Sequence, residues 1–276
     1  MSEPDPAAEV TNPAVREALD EFVADPGARG SIDVLRWCLQ GFLLLDVTGS
    51  DIRMSADGTE IEPGSTVQIA VTSGPDGESA LAAFTSMAEI EKVHSGDGET
   101  GGAVQSLVQP AAAVLELAVQ QDHRWVCLDP AGPSCALSRD EIDFALRVPR
   151  NDVVRQALDV VNVDPDQRPV LLDALRADGV FVLAVDTPDE PADDVPEGTV
   201  RLRTTTLPDE RPALMVFTSG PEAAARAGSD SFVVWSTAEV HDALRQGEVD
   251  GLVVNPSGPW AAVTTEELLG SPAGES

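Results

Sequence analysis

The chain contains no tyrosine, one lysine (Lys92), four tryptophans and seven phenylalanines among its 276 residues. Hydrophobic cores with so few aromatics must be built mainly from Val, Leu, Ala and Ile. Cationic residues are also scarce, because 17 Lys and Arg stand against 48 Asp and Glu, which gives a net charge of −31. A surface of this charge repels phosphate backbones and anionic lipid headgroups, so we expect neither a nucleic acid nor a membrane partner.

Long apolar segments are missing as well. No run approaches the ~18 residues of a membrane-spanning helix, and residues 1–5 lack the basic and then apolar pattern of a secretory signal. Three cysteines without a Cys-x-x-Cys pair predict reduced thiols rather than a disulfide framework. These features together predict a cytoplasmic protein.

Two interpretations of the acidity are open. The first is a generally acidic surface that keeps the protein soluble. The second is a face complementary to a basic partner protein, for which opposite charge would accelerate encounter more than it deepens affinity.

Four segments of the first half of the chain return in the second half, in the same order. They are Val15–Asp20 with Val154–Asp159, Gly41–Asp46 with Gly179–Ala184, Phe84–Ser86 with Phe217–Ser219, and Leu128–Pro133 with Val254–Pro259. The shrinking offset between them is what small loop deletions in the second copy would leave. Since each copy reaches domain size, we expect one domain over 12–148 and another over 149–270, with disordered tails at 1–11 and 271–276.

Caps and hydrophobic periodicity predict the same order of elements in both copies. Asn12-Pro13 is typical of a helix start, and Gly41 and Gly179 suit a left-handed helix C-cap. The predicted strands are 42–47 and 180–185, 66–71 and 199–203, 81–84 and 213–217, and 125–128 and 251–254, and a further short strand follows the turn after the last of these in each copy. We therefore predict an α/β (α+β) fold of two similar domains, each a mixed sheet of about five strands flanked by helices.

Short polar motifs mark the ends of these elements. Capping boxes, which satisfy free N–H groups at a helix start, are predicted at Ser86/Glu89, Ser138/Glu141, Ser236/Glu239 and Thr264/Glu267. Asp129–Gly132 and Asn255–Gly258 match a type I turn, with Asp or Asn first, Pro second and Gly fourth. Every polar residue in these motifs has a local backbone role, so the structural interpretation comes before a ligand-binding one.

The only residues that suggest catalysis are His123, Cys127 and Cys135. His123 and Cys127 would share one face of a predicted strand, but four residues of strand span ~13 Å, too far for a nucleophile and its base. A histidine at a strand edge and cysteines in the core are the simpler interpretation. The three histidines have no carboxylate cluster around them, and no glycine-rich loop fits a phosphate, so we expect no metal and no cofactor.

One family resemblance rests on these motifs. A strand ending in Phe-Thr-Ser, a helix, an apolar strand into Asn-Pro-x-Gly-Pro and a closing Thr-x-x-Glu helix resembles the SseB domain, a bacterial domain named for an enhanced-serine-sensitivity protein. The second copy resembles it best, through Phe217–Ser219, Trp235-Ser236 and Val253–Pro259, whereas the first copy has Asp129 where the second has Asn255. The Lys-poor, Ala/Val/Asp-rich composition is typical of an actinobacterial protein. The resemblance implies a fold and supplies no catalytic residues.

We therefore expect a non-catalytic protein-interaction module, such as a chaperone or an immunity-like protein for a basic secreted partner. Alternatives are a small-molecule-binding protein, or a cysteine-dependent enzyme that uses His123 with Cys127 or Cys135. A homo-oligomer is compatible with either. The candidate interaction surface consists of Asn255, Pro256, Ser257, Gly258 and Trp260, with core packing of Trp260 as the competing interpretation.

Overall fold

The computed structural model describes residues 12–51, 64–96, 104–185, 201–227 and 231–270. The chain forms two compact units, which meet in sequence between Leu146 and Arg147. Both predicted tails, 1–11 and 271–276, lie outside the described residues. Among the helices described, none is long and apolar enough to cross a membrane.

Unit 1 alternates helices and short strands. Its elements are α1 Pro13–Ala24, α2 Ala28–Trp37, β1 Phe42–Asp46, β2 Val71–Ser73, β3 Ser79–Ala83, α3 Met87–Gly96, β4 Ser106–Pro110, α4 Ala111–Gln120, β5 Trp125–Leu128, β6 Cys135–Ser138 and α5 Arg139–Arg147.

Unit 2 repeats this order, with a short 3-10 helix at Pro165–Gln167. Its elements are α6 Asp152–Val163, α7 Arg168–Arg176, β7 Val180–Ala184, β8 Thr204–Thr206, β9 Pro212–Val216, α8 Gly220–Ala227, β10 Phe232–Ser236, α9 Thr237–Gln246, β11 Gly251–Val254, β12 Ala261–Thr264 and α10 Thr265–Leu269.

Each unit has one mixed four-stranded sheet and one antiparallel strand pair. The sheets run β2-β3-β5-β6 and β8-β9-β11-β12, with β3 parallel to β5 and β9 parallel to β11. The pairs are β1-β4 and β7-β10, and they join the sheets through the bridges Leu44–Phe84 and Val182–Phe217. The two repeated phenylalanines thus hold the same position in both units, which confirms the predicted fold class and the duplication.

Asparagine side chains fasten the first helix of each unit to the strand that follows. The Asn12 Oδ1 atom accepts the N–H of Val15, and its Nδ2 atom donates to the Gln40 carbonyl. Asn151 accepts the N–H of Val154 in the same way, and its Nδ2 atom donates to the Val180 carbonyl, two positions beyond the one equivalent to Gln40. In unit 1 this amide leaves no room beside Gly41, where a Cβ would lie 2.8 Å from Asn12 Nδ2.

The two glycines predicted as left-handed caps differ. Gly41 has the expected left-handed φ, 65°, but it lies three residues beyond Cys38, the residue that caps α2. Gly179 has no positive φ, so that part of the prediction is wrong. It is glycine because a Cβ there would lie 2.7 Å from Asn151 Nδ2.

The strand predictions were wrong at the edges of the sheets. The structure places β2 and β8 later than predicted, and it adds β4 and β10, which sequence reasoning missed. β4 has only two apolar residues in succession, Leu107 and Val108, which explains why it was missed, whereas β10 was missed although Phe232–Trp235 is a continuous apolar run. Trp235 lies within β10, and its side chain packs on the core cluster that includes Val240.

Three of the four predicted capping boxes are confirmed: Ser138/Glu141, Ser236/Glu239 and Thr264/Glu267. The fourth is wrong, because the Glu89 carboxylate turns away from Ser86 and pairs with Arg16 and Lys92. Glu89 thus belongs to a buried polar cluster of unit 1 and does not cap α3.

A large and a small residue exchange places between the units, in the hairpin that joins β2 to β3 and its counterpart in unit 2. In unit 1 the Trp125 indole covers Gly74, and any Cβ on Gly74 would overlap it. In unit 2 the corresponding residues are Gly251 and Leu207; a Cβ on Gly251 would lie 3.2 Å from Leu207 Cδ1 and would overlap the Val263 carbonyl oxygen. Each unit thus combines one large and one small residue at these two positions, as close packing favours.

Candidate functional site

A buried polar cluster lies at the carboxyl ends of the two parallel strands in each unit. In unit 1, Thr85 follows β3 and Asp129 follows β5, and both are fully buried. Asp129 accepts two hydrogen bonds from Thr85, from the backbone N–H at 2.8 Å and from the hydroxyl at 2.6 Å. Asp129 has a φ of 45°, a conformation that Asp and Asn tolerate better than most residues. The pair joins the first turn residue to the neighbouring strand.

Unit 2 keeps this geometry with an amide in place of the carboxylate. Asn255 Oδ1 accepts the Thr218 N–H at 2.9 Å, and Asn255 Nδ2 donates to the Thr218 hydroxyl at 2.8 Å. The φ of Asn255 is 47°, and the residue is fully buried. The hydroxyl therefore donates in unit 1 and accepts in unit 2, although the equivalent atoms lie at similar distances in both units.

An arginine on the first helix completes the cluster in unit 1. The Arg16 Nη1 atom lies 2.5 Å from Glu89 Oε1 and 3.1 Å from Asp129 Oδ2. Lys92, the only lysine of the chain, donates to the same Glu89 oxygen at 2.7 Å. Both carboxylates are almost completely removed from solvent, so these two cations supply their nearest positive charges.

The equivalent arginine of unit 2 has a different distribution of partners. Arg155 Nε lies 3.6 Å from Glu222 Oε1, and both side chains are buried. The Arg155 Nη1 atom pairs with Asp159, which is half exposed. No lysine is present, because Ala225 occupies the position that corresponds to Lys92.

These differences preserve charge balance. The buried cluster of unit 1 combines two carboxylates, Glu89 and Asp129, with two cations, Arg16 and Lys92. The cluster of unit 2 has one buried carboxylate and one buried arginine beside a neutral Asn255. The extra acid and the extra base thus occur in the same copy, as expected where an unpaired buried charge is costly.

The two acids of unit 1 respond differently to this environment. Burial raises the pKa of Asp129, an effect that the hydrogen bonds from Thr85 and the charge of Arg16 only partly offset. Burial alone would also raise the pKa of Glu89, but hydrogen bonds from Lys92 and Arg16 hold it below its usual value. Glu89 is therefore the more firmly ionised member of the pair.

The cluster fixes the position of the turn that follows β5. Glu89 Oε2 packs against Gly132, where a Cβ would come within 2.5 Å of it. The turn closes through Gly132 N–H to the Asp129 carbonyl at 2.9 Å, and unit 2 has the matching bond from Gly258 to Asn255 at 2.8 Å. The contacts from Asp129 and Asn255 reach residues far away in sequence, so the expectation of purely local backbone roles is wrong here.

Sequence reasoning missed Arg16, Glu89 and their counterparts, although the signal was present. Arg16 and Arg155 lie inside the first repeated segment, and Glu89 and Glu222 lie at the same offset as Phe84 and Phe217. Polar residues that persist in both copies at core-facing positions are the pattern that could have found them.

The predicted interaction surface is partly exposed. Asn255 is buried, whereas Pro256, Ser257 and Gly258 are half-buried. Trp260 is 48% exposed, which rules out core packing for this side chain. Its backbone is held in place by Asn162, whose Nδ2 atom donates to the Trp260 carbonyl at 3.2 Å.

The ring nitrogens of His123, the histidine of the catalytic alternative, lie next to oxygen atoms of Ser79 and Gln121. His123 precedes β5; its Nδ1 atom lies 2.8 Å from Ser79 Oγ, and its Nε2 atom lies 3.3 Å from Gln121 Oε1. Cys127 and Cys135 are buried core residues, and burial raises the pKa of both thiols, that of Cys135 to about 12. Thiols in this environment are poor nucleophiles. Across the described residues, no group of three His, Cys, Asp or Glu side chains could hold a metal ion.

Comparison with known protein families matches the chain twice to the family described as SseB protein N-terminal domain, over residues 15–143 and 154–270. Both polar clusters lie inside the matched ranges. Comparisons with curated proteins and with solved structures gave no match. Since the two matches together span most of the sequence, the chain belongs to the SseB N-terminal domain family and carries two copies of that domain.

Proposed function

We propose that the protein is a non-catalytic interaction module whose contact surface is Pro256, Ser257, Gly258 and Trp260, on the turn that the buried Asn255 begins. The observation that carries this proposal is the exposure of Trp260, which leaves 48% of a large apolar side chain in solvent in a chain with only four tryptophans. Exposed tryptophans frequently anchor protein–protein contacts.

The surface is preorganised. Buried hydrogen bonds between Asn255 and Thr218 fix the start of the turn, and the bond from Gly258 N–H to the Asn255 carbonyl closes it. Asn162 holds the backbone of Trp260. A rigid turn loses little conformational entropy when a partner binds, so more of the contact energy contributes to affinity.

The surface is specific to unit 2. The residue of unit 1 that corresponds to Trp260 is Ser134, although the turn and the polar cluster beneath it are present in both units. The two copies therefore share a buried framework and differ at the surface, as expected when one copy acquires a binding role.

Charge indicates the class of partner. A net charge of −31 favours a basic protein, which the field of the chain would attract and orient. The finer proposal is a basic secreted effector or toxin that this protein chaperones or neutralises in the cytoplasm. The buried free thiols of Cys38, Cys127 and Cys135 are compatible with that reducing compartment.

Co-purification from the native host tests this proposal, with the full chain as bait at low and at high ionic strength. We expect a basic protein to be retained at low ionic strength and released by salt, because exposed charge pairs are screened. Trp260→Ser, which introduces the residue that unit 1 has, should reduce retention, whereas the matched control Ser134→Ala should not. Equal retention by both variants, or no salt-sensitive basic protein, would contradict the proposal.

A further inference from the structure

We infer that the outer edges of β4 and β10 are docking sites for an extended basic segment of a partner protein, which adds a strand beside each of them. This inference rests on the proposed function, since it names a binding mode and a chemical class for the partner. Among the described residues, β4 pairs with β1 alone and β10 pairs with β7 alone.

The hydrogen bonds of β1 determine which groups of β4 face outward. Leu44 uses its own N–H and carbonyl on Phe84, at 2.8 and 2.9 Å. Leu44 lies opposite Val108, so these two residues form a non-hydrogen-bonded antiparallel pair. The backbone N–H and C=O of Val108 therefore point away from β1, along the open edge.

Unit 2 has the same arrangement. Val182 bonds to Phe217 through both backbone groups, at 2.9 and 2.8 Å, and Val182 lies opposite Val234. The backbone groups of Val234 thus point outward as those of Val108 do. At the end of this edge, the outward N–H of Ser236 is already taken by Glu239 Oε2 at 2.7 Å.

Within the described residues, the central positions of both edges, Val108 and Val234, lack the usual protection against strand addition. Proteins shield exposed edges with charged side chains, proline or bulges. The sequences Ser-Leu-Val-Gln-Pro and Phe-Val-Val-Trp-Ser contain no charged residue, and Pro110 occurs only at the end of β4. The side chains of the two central edge residues are apolar and accessible to solvent: Val108 is 51% exposed and Val234 is 38% exposed.

The opposite edge of the unit 2 sheet shows the contrast. Along β12, Arg168 Nη2 donates to the Ala262 carbonyl at 2.7 Å, and Glu267 Oε2 accepts the Thr264 N–H at 2.9 Å. The carbonyl of Trp260, just before this strand, is bonded to Asn162. Side chains thus block that edge, whereas no described side chain bonds the outward backbone groups of Val108 or Val234.

The chemistry of the occupant follows from the edge and from the charge. An open edge binds extended backbone, and the exposed valine favours an apolar side chain beside it. A second copy of this chain would bring together two molecules of charge −31, so basic residues on the other face of the added strand fit better. The occupant is therefore an extended segment in which apolar and basic residues alternate.

The test uses a synthetic nine-residue peptide of alternating valine and arginine and two N-methylated twins of it. Each twin is methylated at every second amide, and the two differ in which of the two alternating sets of amides is blocked. Because the peptide and its twins have equal charge, non-specific attraction to an acidic protein affects them equally. We expect the twin methylated on the bonding edge to bind at least tenfold more weakly. We also expect the Val108 and Val234 amides to exchange rapidly in the free protein and at least tenfold more slowly with the unmethylated peptide. Equal binding by all three peptides, or amides already protected in the free chain, would overturn the inference.

Protein variants provide a second readout. The double variant Val108→Pro/Val234→Pro removes two outward N–H groups that no described strand uses, whereas Val108→Thr/Val234→Thr keeps them. Only the proline pair should lose peptide binding, and the methylated peptides decide the matter if that pair fails to fold. Protection of Val108 that depends on protein concentration would assign the edge to a second copy and overturn the inference.

The two proposals fail separately. Trp260→Ser should leave peptide binding unchanged, because Trp260 lies at β12 and not at β10. Loss of the peptide effect with an intact Trp260 effect would reject the edge alone, and the reverse would reject the Trp260 surface alone.

Discussion

Replacing Arg16 by methionine should destabilise unit 1 more than replacing Arg155 by methionine destabilises unit 2. Methionine keeps much of the side-chain volume and removes the charge. In unit 1 the change leaves two buried carboxylates, Glu89 and Asp129, near the half-exposed Lys92 alone. In unit 2 it leaves one buried carboxylate, Glu222, because Asn255 is neutral and Asp159 reaches solvent.

Breaking a buried pair costs about 3–5 kcal/mol, mostly as the penalty of the charge left behind. We therefore expect the loss for Arg16→Met near the upper end, at about 5 kcal/mol, and that for Arg155→Met near about 3 kcal/mol. Hydrogen exchange of the slowest amides in each unit, measured against denaturant, reports the two free energies of unfolding separately.

Second-site variants sharpen the comparison. Asp129→Asn should recover part of the Arg16→Met loss, because it removes one stranded charge and retains an acceptor for the Thr85 N–H. The mirror variant Asn255→Asp should deepen the Arg155→Met loss. Equal losses for the two arginines, together with no rescue by Asp129→Asn, would refute the argument that charge balance governs these clusters.

Three further predictions concern single features. Burial raises the pKa of Asp129, so its stabilising contribution is present at low pH and is lost as the pH rises through the raised value; the stability of Asp129→Asn relative to wild type should therefore increase from acidic to neutral pH in denaturation experiments, and an equal difference at both pH values would contradict this. Gly74→Leu should cost about 1–3 kcal/mol by overpacking against Trp125, and Trp125→Gly in the same chain should relieve it, whereas additive losses in urea denaturation would refute the exchange of volume. Burial also raises the pKa of Cys127 and Cys135, so a thiol reagent should modify both slowly at neutral pH and rapidly once urea is added; rapid modification of the folded protein would contradict this and favour the cysteine-enzyme hypothesis.

The sequence predicts the repeated framework because local signals specify it. Asn12-Pro13, the Asp/Asn-Pro-x-Gly turns and three of the four capping boxes satisfy backbone groups nearby in the chain, so their residue types and spacing are sufficient. The central strands follow from their continuous apolar runs. The duplication adds weight, since each feature is seen twice.

Contacts between residues far apart in the chain could not be predicted from such local signals. Ser86 and Glu89 have the spacing of a capping box, yet Glu89 pairs with Arg16, 73 residues away, because the folded chain buries them together. Edge strands such as β4 lack an apolar run, and pairing with β1 defines them. Exposure of Trp260 depends on how the turn is held, which its neighbours in sequence do not reveal.

The central claim is that Trp260 anchors a basic protein partner, and the most direct measurement is the dissociation constant of that purified partner for three proteins. These are the wild type, Trp260→Ser and the matched control Ser134→Ala. Loss of a tryptophan anchor typically costs 2 kcal/mol or more. We predict that Trp260→Ser binds the partner at least roughly thirtyfold more weakly than the wild type while its thermal stability is unchanged. The control Ser134→Ala should bind with wild-type affinity. An unchanged dissociation constant for Trp260→Ser would contradict it.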